Sequence, residues 1–110
     1  MDTLQQLNDT LVARKSEEAS ASYVASLYHG GVNKIAQKVG EEATEVILAA
    51  KDAASDAAHK PALIAEVADL WFHSLVLLNN LDLSAQDVLN ELPNRVGVSG
   101  HVEKANRAAD

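Results

Sequence analysis

One stretch, LIAEVADLWFHSLVLL at 63–78, constrains the fold more than any other part of the chain. On a helical wheel at about 100° per residue, Leu63, Ile64, Val67, Leu70, Trp71 and Leu75 to Leu78 cover nearly the whole circumference. A helix apolar on all sides is a buried one. Yet Glu66, Asp69 and His73 share a single stripe of it, spaced by three and four. Carboxylates in apolar surroundings are heavily penalised unless paired, protonated or bound to a metal. A salt bridge to a basic residue, with His73 an ordinary core histidine, is one solution. The shortage of bases, 9 Lys+Arg against 16 Asp+Glu, disfavours it.

The rest of the chain reads as helix too. Its 110 residues fit one domain, and with aromatics at 4% the core must be aliphatic and alanine-rich. Leu4, Leu7, Leu11 and Val12 space a first helix over about 3–15. Residues 16–22 are a polar loop ending in Ser22, a helix cap for the short segment around Tyr23 to Tyr28. The Gly30-Gly31 pair stops that segment. From Val32 to about Asp52 runs a long helix with Ile35, Val39, Val46, Ile47 and Ala50 on its apolar face. Gly40 lies inside it at a cost of about 1 kcal/mol against alanine, which invites a reason such as close packing. Pro61 suits the first turn of the helix that continues to Asn79. Ser84 with Asp87 reads as a capping box for a further helix limited by Pro93, and Ser99 as the cap of a last short one through Arg107. The expected class is all-α, a helical bundle centred on two long helices.

Several function classes drop out. A net charge of -7 argues against a nucleic-acid binder held by a basic face. The absence of cysteine excludes disulfides, cysteine-zinc sites and thiol nucleophiles. The acidic N-terminal twenty residues do not read as a signal peptide, and no uninterrupted apolar run approaches a membrane span. The expected setting is the cytoplasm, with no membrane partner.

The first long helix supplies the polar partner. Lys34, Lys38, Glu41 and Glu45 share a stripe, with Glu42 at its border. Taken alone this reads as a solvated face of lysine–glutamate pairs. Taken with its neighbour it gives E-x-x-E, Glu42 and Glu45, followed by E-x-x-D, Glu66 and Asp69. A short loop makes such helices antiparallel neighbours, so four carboxylates converge. All their donors are hard oxygens, suiting magnesium, or manganese, rather than zinc or copper. A di-iron bundle would need an E-x-x-H pair, which the spacing of His73 does not provide. Magnesium held by carboxylates draws remaining ligands from water and substrate phosphates. Lys34 and Lys38 stand one turn apart beside the acids, where they would hold further phosphate oxygens. The pattern points to a metal-dependent phosphate hydrolase without choosing its substrate.

The segments SYVASLYHGGVNKIAQKVGEEATEVILAAK (22–51) and LIAEVADLWFHSLVLL (63–78), with the tail RVGVSGHVEKANR, resemble the phosphoribosyl-ATP pyrophosphatases of histidine biosynthesis. These belong to the MazG-like all-α nucleotide pyrophosphohydrolases. The four-acid core is common to that superfamily, whereas SYVASL, KVGEEATE and EVADLWFH together point to this member. The resemblance implies hydrolysis of phosphoribosyl-ATP to phosphoribosyl-AMP and pyrophosphate, with Glu42, Glu45, Glu66 and Asp69 as magnesium ligands. It makes Glu41 a further ligand or the base for water, and Glu45 essential for turnover. Lys34 and Lys38 would hold the phosphates. His73 would be either a proton carrier beside the carboxylates or a packed neutral imidazole. Ser22, Tyr23 and Ser26 match the family's opening motif, with Val24 where threonine is common; substrate contact and helix capping both fit them. The implied protomer pairs into a homodimer, consistent with the excess of apolar positions around Trp71 and Phe72. The chain resembles the form not fused to the following cyclohydrolase. Two other readings share the pattern: a sister enzyme cleaving another nucleoside triphosphate, and a non-catalytic helical dimerisation module.

Overall fold

In the computed structural model, which describes residues 2–97, five α-helices form the chain: α1 Thr3–Ala13, α2 Tyr23–Gly30, α3 Val32–Ser55, α4 Lys60–Asn80 and α5 Ala85–Glu91. Short 3-10 turns cover Arg14–Ser16, Ala57–His59 and Leu92–Arg95. Among the described residues there is no strand, as expected of an all-α chain. The helix expected from Ser99 to Arg107 lies outside the described residues.

The boundaries follow local chemistry. Asp2 caps α1 by accepting from the Gln5 N–H, and Ser22 caps α2 by accepting from the Ala25 N–H at 3.0 Å. Gly31 separates α2 from α3 with φ +86°, a conformation that side chains rarely adopt, and a Cβ there would meet nothing. Pro61 occupies the first turn of α4, where its missing donor costs nothing. At α5 the Asp87 carboxylate accepts from the Ser84 N–H at 2.8 Å and from the Ser84 hydroxyl at 3.2 Å, joining the two residues expected to cap this helix.

The core lies at one end of the α3–α4 hairpin. Leu11 of α1, Val24 and Leu27 of α2, Ile35 of α3, Leu75 and Val76 of α4 and Ala85 of α5 enclose it. A buried polar joint locks it: Asn8 Oδ1 accepts from Asn79 Nδ2 at 3.1 Å and from the Ala85 N–H at 3.0 Å. Tyr28 donates its hydroxyl to the Leu11 carbonyl at 2.9 Å, tying α2 to α1. Lys15 donates to the Asn79 carbonyl at 2.7 Å, closing the C-terminal end of α4.

The other end corrects three expectations. α4 is not enclosed by the rest of the chain: Ile64 is 71% and Trp71 63% exposed, so its apolar circumference faces core on one side and open surface on the other. Ile47 and Ala50 are likewise exposed rather than packed. Gly40 is not forced by close packing, since a Cβ there would meet nothing within 4 Å. The stretch Ala57–Asn80 is also long and apolar enough to cross a membrane by length and mean hydropathy. Counting uninterrupted apolar runs missed this because an average over the helix tolerates acids gathered on one stripe.

The loop before α2 is held by Glu17. Its carboxylate accepts from Arg14 Nη1 at 2.7 Å and from the Ser22 hydroxyl at 3.0 Å. Its backbone carbonyl lies 2.9 Å from His29 Nε2. The Arg14 hydrogen bond, aided by Ser22 and by the charge of Arg14, holds the carboxyl below its ordinary value. A lowered folded-state pKa contributes stability above the unfolded pKa, and that contribution is lost as pH falls through the folded one. Glu17→Gln is therefore expected to lower the thermal midpoint at pH 7, by under about 4 °C for a partly exposed pair. The difference should vanish near pH 2. Melts of both proteins at the two pH values check this.

Candidate active site

The acids meet where α3 and α4 run side by side, beyond the core. One carboxylate oxygen from each of Glu42, Glu66 and Asp69 lies within 4.8 Å of the other two. Glu42 and Glu66 are half-buried and Asp69 is exposed. The spacing by three on α4 turns Glu66 and Asp69 to the same side, and the antiparallel pairing sets Glu42 opposite them. These carboxylates are less buried than a fully enclosed α4 would make them, since one side of the hairpin is open. Glu66 and Asp69 have no ion pair among the described residues, so the salt-bridge solution for this stripe is not adopted. Burial pushes the Glu66 carboxyl above its ordinary value, and the charges of Asp69, Glu45 and Glu42 push it further. A cation among these oxygens would remove that repulsion, and three hard oxygens fit a hard divalent ion.

Glu45 is exposed and outside the three-oxygen group, near enough to Glu66 for its charge to act on it. Glu41 points elsewhere: its carboxylate accepts from Lys38 Nζ at 2.9 Å and from Gln37 Nε2 at 3.2 Å. The Lys38 hydrogen bond, with Gln37, holds Glu41 below its ordinary value. That same bond holds Lys38 above its own. Lys38 also approaches Glu42 at 3.9 Å, so it flanks the acid group. Lys34 is exposed, one turn earlier on α3.

His73 is 6% exposed and bridges two helices. Its Nδ1 lies 2.8 Å from the Asp69 carbonyl, which can only accept, so Nδ1 carries a proton. In the neutral ring Nε2 then accepts from the Tyr23 hydroxyl at 2.8 Å. Tyr23 and Phe72 both meet the ring edge to face, with centroids 5.8 and 5.2 Å away. This ties the start of α2 to the Asp69 turn of α4, a link between residues 23 and 73 that sequence spacing could not disclose. Ser22 and Ser26 are engaged locally: Ser22 caps α2 and Ser26 donates to the Tyr23 carbonyl at 2.6 Å.

Two side chains absent from the sequence expectations stand beside this site. A cavity of about 310 Å³ opens between α3 and α4, and Asp52 and His59 line it together with Glu45 and Glu66. Asp52 had a signal, falling seven residues after Glu45 and so on the same stripe. His59 had none, because the turn between the helices sets its position.

Residues 4–96 match the phosphoribosyl-ATP pyrophosphohydrolase family. The chain belongs to this family. A relative from Hydrogenovibrio crunogenus, named phosphoribosyl-ATP pyrophosphatase, is 56% identical over 107 residues, covering 97% of this chain and 94% of the relative. The match to the family takes in α1 to α5, and with them the whole acid group and the Tyr23–His73 bridge.

Proposed function

We propose that this protein hydrolyses phosphoribosyl-ATP to phosphoribosyl-AMP and pyrophosphate, the second step of histidine synthesis, in the cytoplasm. Family membership carries the substrate, and the converging oxygens of Glu42, Glu66 and Asp69 carry the chemistry. These three residues, with Glu45 beside them, would hold magnesium, or manganese in its place. Bound there, such an ion would supply neutralisation of phosphate charge and a more acidic water. The base role offered to Glu41 suits Glu45 better, because Glu41 already accepts from Lys38 and Gln37 while Glu45 lines a cavity with Glu66. Lys38 and Lys34 hold the phosphates that leave as pyrophosphate, with Lys38 positioned by Glu41. The Tyr23–His73–Asp69 bridge orients the α4 turn that presents Asp69.

The exposed Trp71 and Ile64 of α4 and the apolar groove between α4 and α5, lined by Leu78, Val88, Leu89 and Leu92, support a homodimer. A second copy covering this face would give α4 the burial that its sequence demands. A mass in solution of one protomer at micromolar concentration would overturn that part.

The deciding experiment measures pyrophosphate release from phosphoribosyl-ATP with magnesium and again after chelation. Release that the chelator stops is expected. Release from another nucleoside triphosphate alone would replace the substrate, and silence on every nucleotide would overturn the enzymatic reading.

A further inference from the structure

His73 stands one turn after Asp69, on the stripe of α4 that carries the acids. A histidine beside carboxylates is a ready donor to them, and such a bond is strong because the acceptor is charged. It does not form here. Nδ1 donates to the Asp69 backbone carbonyl at 2.8 Å, and Nε2 of the neutral ring accepts from the Tyr23 hydroxyl at 2.8 Å. Both nitrogens are engaged, and neither by a carboxylate. Among the described residues the Glu66 and Asp69 carboxylates accept no hydrogen bond and form no ion pair, so their oxygens are open to a cation. Tyr23 decides this arrangement, since the bond made at one ring nitrogen sets which of the two carries the proton. Its single hydroxyl hydrogen is committed to Nε2, which leaves it none to give to a phosphate.

We propose that Tyr23 is a positioning residue for the metal site: by donating to Nε2 it holds His73 in the tautomer whose hydrogen avoids the acids, and so keeps Glu66 and Asp69 free for a divalent cation. Without the hydroxyl, the ring hydrogen can move from Nδ1 to Nε2, and the ring then competes with the cation for the carboxylates. The inference rests on the reading of the acid group as a metal site. It adds to that site a residue of α2, outside the α3–α4 hairpin, and makes His73 a packed neutral ring rather than a proton carrier.

Two substitutions test this. Tyr23→Phe keeps the aromatic ring against His73, with centroids 5.8 Å apart, and removes only the hydroxyl. His73→Asn removes the imidazole but can keep a bond to the Asp69 carbonyl, as Asn79 bonds the Leu75 carbonyl at 2.9 Å on the same helix. Binding of magnesium alone is measured by calorimetry on the wild type, both single variants and the double variant. Tyr23→Phe is expected to weaken magnesium about tenfold, within the range for residues that support metal ligands. In the His73→Asn background the same substitution should cost less than about twofold, because its route to the acids is gone. A merely structural role would lower the metal-free thermal midpoint of Tyr23→Phe and leave its magnesium affinity unaltered, which would overturn the proposal. An equal loss of affinity in both backgrounds would overturn it too, since Tyr23 would then not act through His73. Magnesium binding and phosphoribosyl-ATP turnover by the wild type in the same preparation keep either failure distinct from failure of the functional reading.

Discussion

Replacing Glu66 with glutamine is expected to lower phosphoribosyl-ATP turnover by at least about a hundredfold, and to leave the metal-free protein as stable as before or more so. Residues merely supporting a metal ligand cost about 10- to 100-fold when lost, so a direct ligand should cost no less. The stability half follows from charge. Glu66 is crowded by Asp69, Glu45 and Glu42, and burial and these charges raise its carboxyl pKa. A carboxyl with a raised folded-state pKa contributes stability below its unfolded pKa, and that contribution is lost as pH rises through the folded value. At pH 7 the ionised group therefore opposes folding, and glutamine, of nearly equal volume, removes that opposition. Magnesium should reverse the order by stabilising the wild type through binding to the folded state, and the variant much less. Steady-state turnover, with melts at pH 7 in chelator and in magnesium, measures both halves. Full turnover would remove Glu66 from the ligand set, and a lower metal-free midpoint would show that its charge has a stabilising partner.

The acid stripe of α4 was legible because helical periodicity alone sets Glu66 and Asp69 on one side, and the short connection to α3 makes Glu42 their neighbour. The helix boundaries were legible for the same local reason: Ser22, Gly31, Pro61 and the Ser84–Asp87 pair each act within a few residues of themselves. The burial of α4 was not. An apolar circumference states that a helix will be covered, and says nothing about whether its own chain or a second copy does the covering. Trp71 and Ile64, exposed in the single chain, mark that difference. Helical spacing also separated the adjacent acids, setting Glu41 on the Lys38 stripe and Glu42 at its border. Glu41 and Glu42 are neighbours, yet Glu41 turns to Lys38 and Gln37 while Glu42 contributes to the three-oxygen group. Contacts between distant parts of the chain, such as Tyr23 with His73, depend on how α2 lies across the hairpin, and no local pattern encodes that.

The longest-range of these hidden contacts should have the largest effect on stability. Asn8→Ala is expected to destabilise the protein by about 2–4 kcal/mol, since it strands two buried donors at a cost of about 1–3 kcal/mol each. Asn8 and Asn79 are 5% and 3% exposed, so water cannot readily replace the missing oxygen. The Asn79 amide keeps its bond to the Leu75 carbonyl at 2.9 Å, but its link across to α1 is gone. The Ala85 N–H, at the first turn of α5, loses the acceptor 77 residues away that satisfies it. Against a total stability of about 5–15 kcal/mol for a domain of this kind, the loss is a large fraction. Urea unfolding of Asn8→Ala, Asn79→Leu and the double variant would measure it. Since Asn79→Leu removes one of the two stranded donors, the double variant should cost less than the sum of the singles, by about 1 kcal/mol. Simple additivity would mean that Asn8 and Asn79 act separately. A loss below about 1 kcal/mol for Asn8→Ala would mean that water reaches the joint between α1, α4 and α5.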